Sequence, residues 1–257
     1  MFRKILLSPA LRPFILVLML LVLWDLTIRA FSIPAYLIPP PGKVVGQLVE
    51  QWPMLLEQSY FTTQATIWGF ILSIVVGIPL AMVIAYSRTI ESFVYPLLVF
   101  SQSIPKVAIA PLFVVWFGFG IMPKIITAFL LGFFPIIVAT VMGFKSVESD
   151  MLDLARSMGA SRMQTFFKIS LPQALPAMFS GLKVSITLAV VGAVVGEFVG
   201  SNSGIGYVLQ VANGNFDLPL MFAGLVLLSV IGVLLFAVVD LVERLMIPWH
   251  ASQRQIY

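Results

Sequence analysis

Long apolar runs, separated by short polar stretches, fill most of this chain. Six of them approach the length of about 20 residues that a helix needs to cross the hydrocarbon core of a bilayer. They are centred on residues 11–28, 65–86, 93–117, 125–144, 175–198 and 218–239. Lipid offers the backbone no hydrogen-bond partners, so apolar runs of this length are expected to be helical. The pattern predicts an all-α, polytopic membrane protein with six transmembrane helices.

Composition agrees with a membrane location and excludes several kinds of chemistry. Of the 257 residues, 60% are hydrophobic and 10% are charged. A soluble domain has roughly 45–50% apolar and about 25% charged residues. The sequence contains no cysteine and a single histidine, His250, which excludes disulfides, thiolate metal sites and histidine-rich metal sites. We therefore expect no metal site, no cofactor and no catalytic residue.

The basic residues predict an orientation in the membrane. With a cytoplasmic N-terminus, ten basic residues lie inside and three, Arg29, Lys43 and Lys124, lie outside. Because cytoplasmic loops carry the excess of Lys and Arg, we expect both termini in the cytoplasm. The net charge of +4 is thus attributed to topology and not to nucleic-acid binding. The basic start and the first apolar run also fit a secretory signal, but the five further runs and the lack of an A-x-A site favour a retained anchor.

Two polar stretches are long enough to form structure of their own. Outside, residues 38–42 are rich in proline and predict an extended entry, and residues 44–56 predict an amphipathic helix at the membrane surface. Inside lies the loop 145–172. We expect three regions: 1–62, with the tail, the first transmembrane helix and the external segment; 63–245, with the transmembrane core and the inside loop; and 246–257, a cytoplasmic tail.

The loop 145–172 predicts two short helices. In the first, the apolar residues Met151, Leu154, Ala155 and Met158 are spaced as one helical stripe, and Gly159 is placed to end the helix in a left-handed turn. Ser161 and Gln164 form a capping box for the second helix.

The second helix has its own apolar face and a predicted end. Met163, Phe166 and Phe167 form the face, Leu171-Pro172 is expected to stop the helix, and Pro176 is expected to open the fifth span. Two interpretations of the exposed apolar stripe stay open. It rests on the membrane and the ends of the spans, or it docks into a groove of a partner protein.

The order of residues in this loop resembles a known motif. Asp153-Leu154-Ala155, Gly159 and Ile169-Ser170-Leu171-Pro172 match the spacing of the E-A-A-x3-G-x9-I-x-L-P loop of ABC importer permeases. Asp153 replaces Glu and keeps the charge, and Leu154 replaces Ala and keeps the apolar face. The stretches 102–112, 116–120, 133–136, 155–161, 171–176, 181–183, 196–197 and 248–250 are similar to the nitrate, sulfonate and taurine group of these permeases.

The resemblance implies a fold, partners and a location. The fold is the type I ABC importer permease (MetI-like) fold, in the cytoplasmic (inner) membrane. The loop 145–172 is then the coupling loop, through which the chain contacts a dimer of cytoplasmic ATPase subunits. A second permease copy completes a homodimer with the pathway between protomers, and an external solute-binding protein delivers the solute. The sequence has no G-x-x-x-x-G-K-[ST] loop, so we expect a non-enzymatic subunit driven by ATP hydrolysis in another chain.

The same resemblance leaves the solute open. A small anion such as a sulfonate, taurine or nitrate is the first expectation. A pyrimidine vitamin precursor or another aromatic solute is the alternative within the same group.

Polar residues within spans are the candidates for the translocation pathway, because ionisable groups in a membrane are expensive. They are Gln102, Ser103, Pro105, Lys106, Lys183 and Glu197. Lys106 would attract an anionic solute, or it pairs with Glu197 for structural reasons. Lys183 snorkels to the cytoplasmic surface or faces the pathway. Glu197 forms a gate contact or touches the binding protein.

Small residues recur along the fifth span. Gly181, Ser185, Ala189 and Ala193 are four residues apart, and Gly192 and Gly196 add a second pair. Such a stripe predicts close approach of a neighbouring helix, either as static packing or as a sliding face.

Two other classes of membrane protein would leave different signals in the sequence. A self-contained secondary transporter or channel would need internal repeats and a dense set of intramembrane charges, and neither is evident. An intramembrane protease would need G-x-S-G with a histidine in a span, or H-E-x-x-H, and the sequence has neither. Both classes are therefore disfavoured.

Overall fold

The computed structural model describes residues 12–249, and every regular element in that range is helical. The predicted tails 1–11 and 250–257, with His250, lie outside the described residues. In chain order the elements are α1 (Arg12–Ala30), α2 (Pro41–Glu50), α3 (Trp52–Tyr86), α4 (Arg88–Gln102), α5 (Lys106–Phe117), α6 (Ile121–Lys145), α7 (Ser149–Ser157), α8 (Arg162–Thr165), a π-helical turn (Phe166–Ser170), α9 (Leu171–Gly200), α10 (Ile205–Gly214) and α11 (Leu218–Met246). The all-α prediction is confirmed for the described part of the chain.

The described residues contain four segments that are long and apolar enough to cross a membrane. These are α3, α6, the continuous helical stretch Arg162–Gly200, and α11. A fifth is added if α4 and α5 count as one bent span, so the predicted six crossings are not confirmed. Helix α1 covers the predicted first span. It packs on the rest of the chain near its end, where the ring of Trp24 lies 5.6 Å from that of Phe222 and Ile28 is buried.

The third predicted span consists of two helices and not of one. Helices α4 and α5 are bent by 92° at the break between them, residues 103–105. Pro105 has no backbone N–H and disfavours helical backbone angles at Ile104, so the helix ends and restarts. Pro105 itself is extended, with φ −68° and ψ 93°, and Lys106 begins α5.

Helices α3, α6 and α9 form the core of the bundle, and small residues set their spacing. A Cβ atom on Gly192 of α9 would lie 2.6 Å from the Cα atom of Ala128 of α6. A Cβ on Gly69 of α3 would lie 2.9 Å from the Ile125 carbonyl oxygen, and one on Gly181 would lie 2.9 Å from that of Pro135. The close approach predicted from the small-residue stripe is confirmed, and the three helices form one tightly packed block.

The helix after Ser161 does not stop at Leu171-Pro172, which corrects the sequence-based expectation. It runs through the π-helical turn into α9, and Pro176 lies inside α9 instead of opening it. In a regular α-helix the N–H of residue 172 would donate to the Lys168 carbonyl, and a proline there removes that bond. The chain instead closes a wider turn, in which the Leu171 N–H donates to the Phe166 carbonyl.

The polar segment before α3 forms a shorter helix than predicted. Helix α2 begins at Pro41, after an extended Pro40 with φ −66° and ψ 149°. It ends at Glu50, and residues 52–56 already belong to α3, which has a proline in its first turn. The predicted region boundary between residues 62 and 63 lies within α3.

Candidate functional site

The loop between α6 and α9 presents apolar side chains around a pocket. Leu154 and Met158 of α7 are 61% and 78% exposed, whereas Ala155 is buried. The pocket has a volume of about 470 Å³ and lies between α7 and the segment that follows it. Its lining includes the predicted residues Leu154, Ala155, Met158, Gly159 and Ile169. The structure thus brings together four residues of the motif with Met158 of the apolar stripe.

Three further predicted residues of the loop, Asp153, Leu171 and Pro172, do not line this pocket. Asp153 is exposed and accepts a hydrogen bond of 2.9 Å from Arg156, which lies one turn further along α7. Leu171 packs inward against the cluster of Phe144, Ala174 and Met178. Pro172 lines a smaller neighbouring pocket with Met151 and Trp249.

Local sequence signals explain the shape of this loop. Gly159 has φ +76°, the left-handed conformation that a side chain disfavours, and its N–H donates to the Arg156 carbonyl at 3.0 Å. The Ser161 hydroxyl accepts from the Gln164 N–H at 3.3 Å, and the Gln164 side chain accepts from the Ser161 N–H at 2.8 Å. Both features were predicted, and they fix the turn between α7 and α8.

The break between α4 and α5 holds the first group of pathway candidates. Gln102, Ser103 and Pro105 are exposed, and Lys106 is half-buried. The Lys106 ammonium lies over the Phe134 ring, 4.1 Å from its centroid. Within residues 12–249 no carboxylate lies at ion-pair distance from Lys106, so the alternative of a pair with Glu197 is not what the structure has.

Glu197 occupies a buried polar centre at the far end of the bundle from the loop. Its side chain is fully buried and accepts hydrogen bonds from the Thr62 hydroxyl at 3.0 Å and the Gly206 N–H at 2.8 Å. The Lys124 ammonium lies 3.8 Å from the carboxylate and donates to the Ser203 carbonyl at 2.7 Å. An external protein therefore has no access to Glu197 in this conformation.

The same centre holds the connection between α9 and α10. The Gln58 side chain accepts from the Gly204 N–H at 2.6 Å, and the Thr62 hydroxyl accepts from the Ile205 N–H at 2.8 Å. Gly204 has φ +103°, and a Cβ atom there would overlap the Glu197 carboxylate. Helices α3, α6 and α9 are thus joined to the start of α10 through one set of hydrogen bonds.

The sequence places Lys124 outside, before the fourth span, and does not indicate burial; in the structure it lies in the first turn of α6. Its side chain is 3% exposed within the centre around Glu197. Sequence reasoning missed Thr62, Gln58 and Lys124 because they lie on elements distant in sequence. The signal available was Lys124 itself, a lone cation directly before a long apolar run.

Lys183 lies in a third place, near the end of α11. Its ammonium pairs with Asp240 and Glu243, and Arg244 donates to Asp240 at 2.8 Å. The predicted snorkelling is replaced by an ion-pair contact between α9 and α11. The sequence signal for this cluster is a pair of carboxylates, Asp240 and Glu243, one helical turn apart at the end of the last apolar run.

The structure keeps the charged pathway candidates apart. Lys106 contacts Phe134, Glu197 contacts Lys124, and Lys183 contacts Asp240. Among these candidates, Glu197 and Lys183 make charged contacts between helices, whereas Lys106, at a helix break, has no counter-ion within residues 12–249.

The fold and the loop define a polytopic helical membrane protein with an exposed apolar surface on the loop between two of its core helices. The chain belongs to the binding-protein-dependent transport system inner membrane component family, whose model matches residues 73–248. It is a multi-pass inner-membrane permease component of an ABC transporter and not the ATPase. Membership of this family implies an ATPase and a solute-binding protein as partners.

Three relatives of this chain differ in how similar they are to it. The chain is 41% identical to the formylaminopyrimidine transport permease protein ThiX of Halalkalibacterium halodurans, covering 95% of this chain and 98% of the relative. It is 36% identical to the riboflavin transport system permease protein RibX of Chloroflexus aurantiacus, covering 95% and 92%. A putative aliphatic sulfonates transport permease protein, SsuC of Bacillus subtilis, is 29% identical, covering 91% and 85%.

A solved structure supports the fold. A chain of the MetNI methionine ABC transporter, in an inward-facing form, superposes with a TM-score of 0.63 at 22% identity. The match covers 74% of this chain and 95% of that chain. The MetI-like architecture expected from the sequence is therefore supported.

Proposed function

We propose that this chain is the translocation subunit of an ATP-driven importer for a small heteroaromatic solute of the pyrimidine or vitamin type. In this proposal the coupling loop 145–172 receives the ATPase subunits. The observation that carries it is the apolar pocket between α7 and the π-helical turn, with Met158 exposed at its rim. Exposed Met and Leu side chains around a concave surface suit a protein partner, because burying them there removes apolar area from water.

The proposed solute class departs from the anion expected first. Identity to the formylaminopyrimidine and riboflavin permeases is 41% and 36%, against 29% for the sulfonate permease. The break between α4 and α5 offers chemistry that suits a heteroaromatic ring. Lys106 is a donor for ring nitrogen and carbonyl acceptors, and its ammonium lies over the ring of the buried Phe134.

The pathway is placed at the break because discontinuous helices are common substrate sites in transporters. Gln102, Ser103 and Pro105 stay exposed in the single chain, so a second copy of the permease facing them would enclose a cavity. We propose that the permease is a homodimer. Both termini and the coupling loop lie in the cytoplasm in this proposal, the orientation that the basic residues predict. Glu197 and Lys183 have supporting roles in this arrangement, since each is engaged in a contact between helices.

Reconstitution tests the function and the solute together. The permease, its ATPase and its binding protein are placed in proteoliposomes, and ATP-dependent uptake of labelled formylaminopyrimidine, riboflavin and taurine is compared. The proposal expects uptake of a heteroaromatic solute and no uptake of taurine. Uptake of taurine alone would contradict the heteroaromatic solute and favour a small anion. Uptake without any ATPase would refute the ATP-driven mechanism.

A pair of variants tests the docking surface. Leu154→Asp places a charge on the exposed apolar face of α7, and it is expected to abolish co-purification of the ATPase. Ser149→Asp adds the same charge to the first turn of the same helix, where a carboxylate is tolerated, and is the matched control. Equal co-purification for both variants would contradict the proposed docking surface.

A further inference from the structure

The π-helical turn lies at the boundary between the exposed loop and the packed core. Met163 before the turn and Phe167 within it are exposed, whereas Ala174 and Met178 after it are buried against Phe144 of α6. Gly143 brings α6 and α9 into backbone contact here, since a Cβ atom on it would lie 2.9 Å from the Ala174 carbonyl oxygen. Any movement of the loop must therefore reach the spans through this turn or around it.

The turn sets which way Phe166 points. At about 100° per residue, a regular α-helix would separate Phe166 from Ala174 by about 80° and from Met178 by about 120°. A π-turn holds one more residue than an α-turn, which reduces both separations to about 20°. Phe166 thereby joins the face of α9 that packs on α6, and it belongs to the same cluster as Ala174 and Met178.

Phe166 then meets two aromatic rings from other helices. Its ring stacks on that of Phe144, with centroids 5.9 Å apart and an angle of 16° between the planes. The Tyr86 ring, at the end of α3, lies 6.1 Å from Phe166 and 5.7 Å from Phe144. This aromatic triad of Tyr86, Phe144 and Phe166 joins the end of α3, the end of α6 and the start of the π-helical turn.

We propose that the aromatic triad is the mechanical joint of the transporter, and that the π-helical turn exists to bring Phe166 into it. This rests on the proposed function of the loop as the ATPase contact. Displacement of the loop reaches α9 through the continuous backbone, and it reaches α3 and α6 through the stacked rings. Close contacts at small residues hold α3, α6 and α9 together as one block. The triad makes this block move with the loop, because without it α8 could pivot about the π-helical turn.

The triad is a positioning device, so its loss is expected to uncouple transport from hydrolysis and to leave assembly intact. In reconstituted vesicles, Phe166→Ala should keep ATPase co-purification and ATP hydrolysis, because Phe166 does not line the pocket beside α7 and its ring packs on Phe144. Uptake per ATP hydrolysed should fall by about tenfold, the factor that corresponds to the loss of one or two ring contacts. Phe166→Tyr keeps the ring and should keep coupling. Phe93→Ala removes an equally large ring from an exposed position on α4 and is the matched control.

Phe144→Leu tests the same joint from outside the loop. It cannot alter a direct ATPase contact, because Phe144 is buried on α6, and it should reproduce the uncoupling. Size-exclusion chromatography in detergent checks folding, and Phe166→Leu replaces Phe166→Ala if the latter aggregates. Unchanged uptake per ATP in well-folded variants at both positions would overturn the proposal, and so would loss of ATPase binding in the Phe166 variant. Failure of the importer function itself would appear separately, as absence of ATP-driven uptake by the unaltered chain.

Discussion

The buried contact between Glu197 and Lys124 should be among the most stabilising in the protein, and Glu197→Ala removes it. The substitution leaves a lysine ammonium that is 3% exposed without its counter-charge. It also leaves the Gly206 N–H, which donates to the carboxylate at 2.8 Å, without an acceptor. The Thr62 hydroxyl can still donate to the backbone carbonyl of Gln58, at 3.3 Å, so its loss of hydrogen bonding is smaller.

The magnitude follows from these losses. Breaking a buried ion pair by removing one partner costs about 3–5 kcal/mol, and an unsatisfied buried N–H costs about 1–3 kcal/mol. The two overlap because one carboxylate serves both, so we expect a loss of about 4 kcal/mol. At about 2–4 °C per kcal/mol, this lowers the midpoint of thermal unfolding by about 8–16 °C. Glu197→Gln keeps an acceptor for Gly206 and should give a smaller shift.

Thermal unfolding in detergent, followed by the fraction that remains monodisperse, measures the effect. Glu91→Ala is the matched control, because Glu91 also pairs with a lysine, Lys145, but at a partly exposed site. An exposed pair contributes about 0–1 kcal/mol, so the control should shift the midpoint by less than about 4 °C. Equal shifts for Glu197→Ala and Glu91→Ala would refute the argument that burial makes this contact strong.

Three further outcomes are expected. Gly159→Val should destabilise the turn after α7 by about 1–2 kcal/mol and lower ATPase co-purification, because φ is +76° at this position. Gly159→Asn should have a milder effect, and equal ATPase binding by both variants would contradict this prediction. Lys106→Ala should lower uptake by about 2- to 30-fold with the ATPase still bound, and Lys106→Arg should retain uptake. A normal uptake rate for Lys106→Ala would show that Lys106 has no role in the pathway. Lys183→Met should lower the midpoint of thermal unfolding, since the buried Glu243 loses its cation whereas Asp240 keeps Arg244. Further replacement of Glu243 by Gln should restore part of the midpoint, and no recovery would show that charge is not the cause.

Features governed by neighbours in sequence were predicted well. The positive φ of Gly159 and the capping box of Ser161 and Gln164 depend on residues within one helical turn, and both are present. The last apolar run, predicted from Leu218, begins there in the structure because Asp217 caps it by accepting from the Leu220 N–H.

Features governed by packing between distant elements could not be predicted. The centre around Glu197 joins residues 135 positions apart, from Thr62 to Glu197, and no local pattern encodes that meeting. The π-helical turn depends on which face of α9 packs against α6, so Pro172 alone suggested an end to the helix. Pro105 is compatible with a break in the helix after Gln102, but it does not specify the 92° angle between the two helices.

The central claim, that α7 is where the ATPase is bound, is tested most directly by crosslinking. The chain has no cysteine, so Met158→Cys places a single thiol on the rim of the pocket, and a thiol-reactive photocrosslinker attached there reports its neighbours in the assembled transporter. The account predicts a crosslink to the ATPase subunit, and none from a matched Val45→Cys on α2, at the far end of the bundle. An assembled complex in which the label at residue 158 reaches only lipid or the permease itself would contradict it.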